Sequence, residues 1–136
     1  MKRIVCVGCA LAMGFIASVG CKDRQACEQS RLKMMHTWED VKHTAAARKV
    51  PASYEQLSHA EKTLREERWA PIELQAETLR SSFETPQITW DAADRAREIV
   101  EAKYAEIPRE GPLVEGFGRQ LASANVQYEE LRKQCR

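Results

Sequence analysis

Between Cys21 and Glu110 the chain contains no glycine, and its five prolines punctuate the sequence singly. Phosphate-cradling loops and nucleophile elbows are built on clustered glycines, so a Walker-type loop and a Gly-x-Ser-x-Gly turn are excluded over that span. No run of β-branched and aromatic residues alternates with polar ones, which argues against a half-buried sheet. Cys-x-x-Cys-His is absent, and with it a covalently attached haem. Charge of one sign is lacking too: setting aside Lys2 and Arg3 leaves 19 basic residues against 20 acidic ones. Binding through nucleic-acid phosphates needs a basic surplus, so no nucleic-acid partner is expected. Nothing in these patterns calls for a cofactor, and none is expected.

What is present is helix-forming. The segments between the prolines are rich in Ala, Glu, Arg, Lys, Leu and Gln, which lose little rotamer freedom in a helix. A first helix is predicted from about Asp23 to Lys49, ended by Pro51. Cys27, Met34, Trp38, Val41 and Ala45 lie on one face, and Arg31 fills the remaining seam position. Ser53 with Gln56 suggests a capping box for a second helix carrying Leu57, Ala60, Leu64, Ile72, Ala76, Leu79 and Phe83. Pro71 stands inside it and either splits or kinks it. A third helix is predicted from Thr89 with Ala92, Ala96, Ile99, Val100 and Tyr104. The fourth has strict steps of three and four through Val114, Phe117, Leu121, Ala124, Tyr128, Leu131 and Cys135. Gly116 and Gly118 fall in its first turns, where fraying or close helix contact is expected.

The N-terminus has a different character. Lys2 and Arg3 precede an uncharged run of 17 residues, Ile4 to Gly20, that ends in the small residues Ser18 and Gly20. Ser18-Val19-Gly20-Cys21 resembles the lipobox of a bacterial lipoprotein precursor, with Ser18 where a leucine is usual. The resemblance covers about the first 21 residues and carries no information on the fold that follows. It implies a signal peptide over residues 1–20, acylation (a thioether-linked diacylglycerol and a fatty acid such as palmitate) at Cys21, and residues 21–26 as a short polar tether. It also implies a membrane partner through the lipid, in the cell envelope and facing the periplasm. Lys22 stands where an Asp favours inner-membrane retention in enterobacterial lipoproteins, which inclines the sorting to the outer membrane. Ordinary secretion with a free Cys21 fits the same run, as does an uncleaved anchor at the short limit for a membrane span.

Cysteine arithmetic follows from that reading. Cys6 and Cys9 leave with the signal peptide and Cys21 takes the lipid, so Cys27 and Cys135 remain as an even pair in an oxidising compartment. The alternative is two thiols packed as small apolar groups. Cys27 opens the first stripe and Cys135 closes the last. In an up-down bundle these two points share an end only when the helix number is even. The expected fold is therefore an all-α, antiparallel up-down bundle over residues 27–136, with four helices, the second kinked at Pro71, and a Cys27–Cys135 disulfide.

Candidate chemistry is sparse. His36, Glu39, Asp40 and His43 have the i, i+3, i+4, i+7 spacing of a helical face and are weak metal candidates. They lie opposite the apolar seam, and a solvated charged face is the plainer reading. Trp69, close to Pro71, and Trp90, at a helix start, are weak candidates for partner-binding anchors, because aromatic residues are enriched at interface hot spots; the plainer reading has both capping the ends of the core. The sequence thus points to a lipid-anchored envelope protein without catalytic machinery, acting as an interaction or accessory module on another envelope protein. A small-ligand or metal-binding periplasmic bundle is the alternative.

Overall fold

The computed structural model describes residues 15–109 and 112–135, with side chains described from Arg24 to Arg109 and from Val114 to Cys135. Residues 1–14 of the expected signal peptide, and the Cys21 side chain expected to carry lipid, lie outside the described residues. Four helices follow one another: α1 (Phe15–Lys49), α2 (His59–Ser82), α3 (Trp90–Ala105) and α4 (Pro112–Gln134). α1 packs along α2, α2 along α3, and α1 along α4. The ring closes between α3 and α4 through long side chains: Arg97 to Glu129 at 2.8 Å, Asp94 to Arg132, and Asn125 to Glu101. Those pairs descend one helix as they climb the other, as do Thr37–Gln127 and Ser30–Gln134 between α1 and α4. The bundle is antiparallel and up-down. Among the described residues no helix is long and apolar enough to cross a membrane.

The core is the set of stripes read from the sequence. Met34, Trp38, Val41 and Ala45 of α1 are buried, as are Phe117, Leu121, Ala124, Tyr128 and Leu131 of α4. Cys27 and Cys135 meet in a disulfide with 5.0 Å between their Cα atoms, the separation that the even helix count requires. An aromatic group fills each end of the bundle. Phe83, Trp90 and Tyr128 stack edge to face at the disulfide end, with centroids 5.6–5.9 Å apart. Trp69 and Tyr104 each lie 5.2 Å from Phe117 at the other. Such edge-to-face pairs contribute about 0.5–1.5 kcal/mol each beyond area burial.

Three local differences from the sequence reading have physical causes. α1 begins at Phe15, so Lys22 to Ala26, expected as a polar leash, belong to the helix. α2 begins at His59: Ser58 Oγ accepts from the Glu61 amide at 3.2 Å, and Tyr54–Gln56 forms only a short 3-10 turn. Ser58-x-x-Glu61 is the capping box with the charged partner, which suits the positive end of the helix dipole better than Gln56 would. This start puts Trp69 in phase with Ile72, Ala76 and Leu79, and leaves Ala60 and Leu64 exposed. In α3 the buried residue of the first turn is Ala93, while Ala92 faces out.

Pro71 does not split α2, which continues through it. The missing backbone donor costs on the order of 3 kcal/mol in a helix interior. Trp69 and Ile72, buried on either side, hold the helix in a single packing register.

The two helical glycines behave oppositely. A Cβ on Gly116 meets nothing within 4 Å, whereas one on Gly118 would sit 2.6 Å from Tyr104 Oη. That hydroxyl is held in place by donating to the Val114 carbonyl at 2.9 Å. Gly116→Ala is expected to stabilise the fold by about 0.5–1 kcal/mol, the helix-propensity gain. Gly118→Ala is expected to destabilise it by about 1–2 kcal/mol, the overpacking cost exceeding that gain. Urea unfolding of the two variants checks the opposite signs; a gain at Gly118 equal to that at Gly116 would refute the close approach.

Candidate functional site

Two surface clefts carry most of the charged side chains, one on the α1–α2 face and one at the bundle end away from the disulfide. The first is lined by Met35, His36, Glu39, Lys42, Glu77 and Arg80. It contains half of the histidine–carboxylate face noted in the sequence. His43 Nε2 lies 3.1 Å from Glu39 Oε1, and Glu39 Oε2 lies 3.4 Å from Arg80 Nε. Arg80 donates to both oxygens of Glu77 at 2.9 and 2.8 Å, and Lys42 Nζ donates to Oε1 at 3.0 Å. The cleft is a neutralised ion-pair network. Two fixed cations occupy the space beside Glu39 and Glu77. Among the described residues no three His, Cys, Asp or Glu side chains come together as metal ligands, so His36, Glu39, Asp40 and His43 are not gathered into one coordination set.

Glu77 is the most perturbed acid of this network. The Arg80 fork, aided by the Lys42 ammonium and opposed by partial burial, holds its carboxyl at about 2, below the ordinary 4.5. A depressed native value stabilises the fold above the unfolded value and is lost on acidification. Stability is therefore expected to fall as pH drops from about 4.5 toward about 2. Glu77→Gln should flatten the decline within that window in pH-dependent thermal melts. The side chain is over a third exposed, so high salt should shrink the difference between the two proteins; identical slopes at low salt would contradict this role.

The tryptophans fall on opposite sides of the sequence expectation. Trp69 is only 4% exposed and packs inward on Phe117, leaving little surface for a partner. Trp90 is half-buried, wedged between Phe83 and Tyr128, with the Arg132 guanidinium 4.7 Å above its ring. Arg132 in turn reaches Asp94, which also accepts from the Tyr128 hydroxyl. Arg132 holds the Asp94 carboxyl below its usual range, and burial followed by Asp94 pushes the Tyr128 hydroxyl upward. Trp90 thus belongs to a satisfied α3–α4 clasp.

The second cleft was not visible in the sequence. It has a volume of about 340 Å³, with Arg48, Arg65 and Arg68 around a floor of Trp69, Ile107 and Val114, and Leu64, Pro108 and Glu61 at its edge. Arg65 Nη1 donates to the Arg48 carbonyl at 2.7 Å, tying α2 to the end of α1. Arg68 makes no hydrogen bond or ion pair among the described residues. Leu64 is 42% exposed beside it. The only sequence trace of this site is the i, i+3 pair Arg65 and Arg68; the third arginine arrives from the far end of α1 by chain reversal. Comparison of the chain with protein families, with curated proteins and with solved structures gives no match.

Proposed function

We propose that the chain is a lipid-anchored cell-envelope protein whose helical domain serves as a non-catalytic interaction or accessory module for another envelope protein. The observation that carries the reading is the partition of the cysteines. Cys27 and Cys135 are joined across the bundle, which fits an oxidising compartment, and Cys21 is left as the acyl acceptor of a lipobox-like Ser18-Val19-Gly20-Cys21. The polar side chains that catalysis would need as acid, base or nucleophile are engaged in ion pairs along the helix faces, at Glu39–Arg80, Glu77–Lys42 and Glu129–Arg97. Outer-membrane sorting follows from Lys22 after the acylated cysteine. Intact mass of protein purified from membranes is expected to show loss of residues 1–20, added acyl mass on Cys21, and two hydrogens fewer than the reduced form. Cys21→Ser should release the protein from the membrane fraction. A soluble wild-type product with a free Cys21 thiol would refute the anchor. For the interaction role, photo-cross-linkers at exposed Leu74 and Val126 and at the cleft edge should trap one discrete envelope partner; a protein that cross-links nowhere and copurifies with a small molecule would refute it.

A further inference from the structure

From the second cleft we infer that the bundle end opposite the disulfide docks an acidic peptide segment of the partner, with one apolar side chain of that segment seated over Trp69, Ile107 and Val114. The inference rests on the interaction role proposed above and names where and how it is exercised.

Charge complementarity is the first ground. Three guanidinium groups, Arg48, Arg65 and Arg68, come from two helices to one floor, and Glu61 is the sole acid in the lining. The other charged groups nearby are already matched, since Lys62 lies 3.7 Å from Glu55. The site therefore carries a surplus of two positive charges in a chain whose acids and bases otherwise balance. Planar guanidinium forks bind carboxylates bidentately, and arginine is the basic residue favoured at protein interfaces.

The form of the cleft selects among anions. A volume of about 340 Å³ is at the small end for ligand pockets, enough for one side chain and its flanking backbone. Apolar surface is exposed at the rim, where Leu64 continues the floor outward, and Val50, half-exposed, ends α1 at the same end. A bare inorganic anion would leave that surface uncovered. An anionic bilayer is disfavoured by position. Cys21 precedes the disulfide end, and helices of 23–24 residues put the cleft about 35 Å from it, pointing away from the anchoring membrane.

The test uses the full-length acylated protein in detergent and a fluorescein-labelled octapeptide of Glu and Asp residues around a central leucine. Anisotropy should report binding that weakens as salt is raised. Arg68→Glu should reduce affinity about tenfold or more, a loss of at least ~1.4 kcal/mol. Leu64→Ser should reduce it severalfold, while Lys133→Glu, the same charge reversal at the disulfide end, should leave it unchanged. Arg68 has no intramolecular partner to lose, so its variant is expected to fold as the wild type does, checked by thermal melting. The Gln/Asn version of the octapeptide should not bind, inorganic phosphate should compete only weakly, and phosphatidylglycerol vesicles should not displace the peptide. Equal binding by Arg68→Glu, equal binding of the amide peptide, full displacement by phosphate or vesicles, or no binding at all would each overturn the inference. A partner trapped by cross-linkers at Leu74 or Val126 alongside any of those outcomes would sink the docking site and leave the interaction role standing.

Discussion

Replacing Cys27 and Cys135 together by serine is expected to lower the unfolding free energy by about 3–5 kcal/mol, among the largest effects of any substitution outside the central core. The bridge joins positions 108 residues apart, and closing a loop of ~100 residues removes denatured-state entropy worth up to about 4.7 kcal/mol in the chain-entropy treatment. Domains of this size have only about 5–15 kcal/mol in total, so the loss is a large fraction. The thermal midpoint should drop by more than about 10 °C. Three measurements should agree: urea midpoints of the double variant, of either single variant, and of the wild type under reductant. Each breaks the same single bond, so the single changes should not add. A reduced wild type with an unchanged midpoint would show that the bundle does not depend on the crosslink.

Arg31 should follow closely. It is 6% exposed, on the α1 seam, one turn after the disulfide. Its Nη1 donates at 2.7 Å to the carbonyl of Phe83, the residue that ends α2, and Nε and Nη2 grip Glu28 at 3.0 and 2.9 Å. One guanidinium thus caps a neighbouring helix and neutralises an acid on its own. Arg31→Ala strips a buried carbonyl of its donor and deprives Glu28 of its fork, an expected cost of about 2–4 kcal/mol. Arg31→Lys should recover only part of it, because a single ammonium cannot span both acceptors. In a double-mutant cycle with Glu28→Gln, the coupling should reach about 1 kcal/mol or more. Purely additive changes would mean that Arg31 contributes through its apolar stem alone.

These two cases show what a sequence transmits. The seams of α1 and α4 were legible to the residue, Arg31 included, since a strict three-four alternation has one inward solution. The shared phase of Cys27 and Cys135 then fixed the parity of the helices. The start of α2 was misread because two Ser-x-x-Glu/Gln boxes lie five residues apart. Choosing the earlier one set Leu57, Ala60 and Leu64 on a face that jumps eight residues to Ile72. Periodicity placed Arg31 inward and could not say that it would find the Phe83 carbonyl, because that acceptor belongs to another helix end. The basic cleft was invisible for the same reason. Its charges are ordinary members of two solvated helix faces until the reversals at residues 50–58 and 106–111 bring helix ends together, and a near-neutral total hides a local surplus.

The disulfide also has a mechanical meaning. It links the start of the packed seam to the last turn of α4, so the polypeptide between them is a covalently closed loop. Tension applied to the chain before Cys27 and after Cys135 passes from one segment to the other through a single sulfur–sulfur bond, and the helices bear none of it. Tension between the N-terminal anchor and something held at the arginine end must instead shear α1 against its neighbours along their full length, the direction in which every interhelical ion pair and buried side chain resists together. An anchored bundle crosslinked in this way is compliant to nothing along its own chain ends and stiff toward whatever it holds.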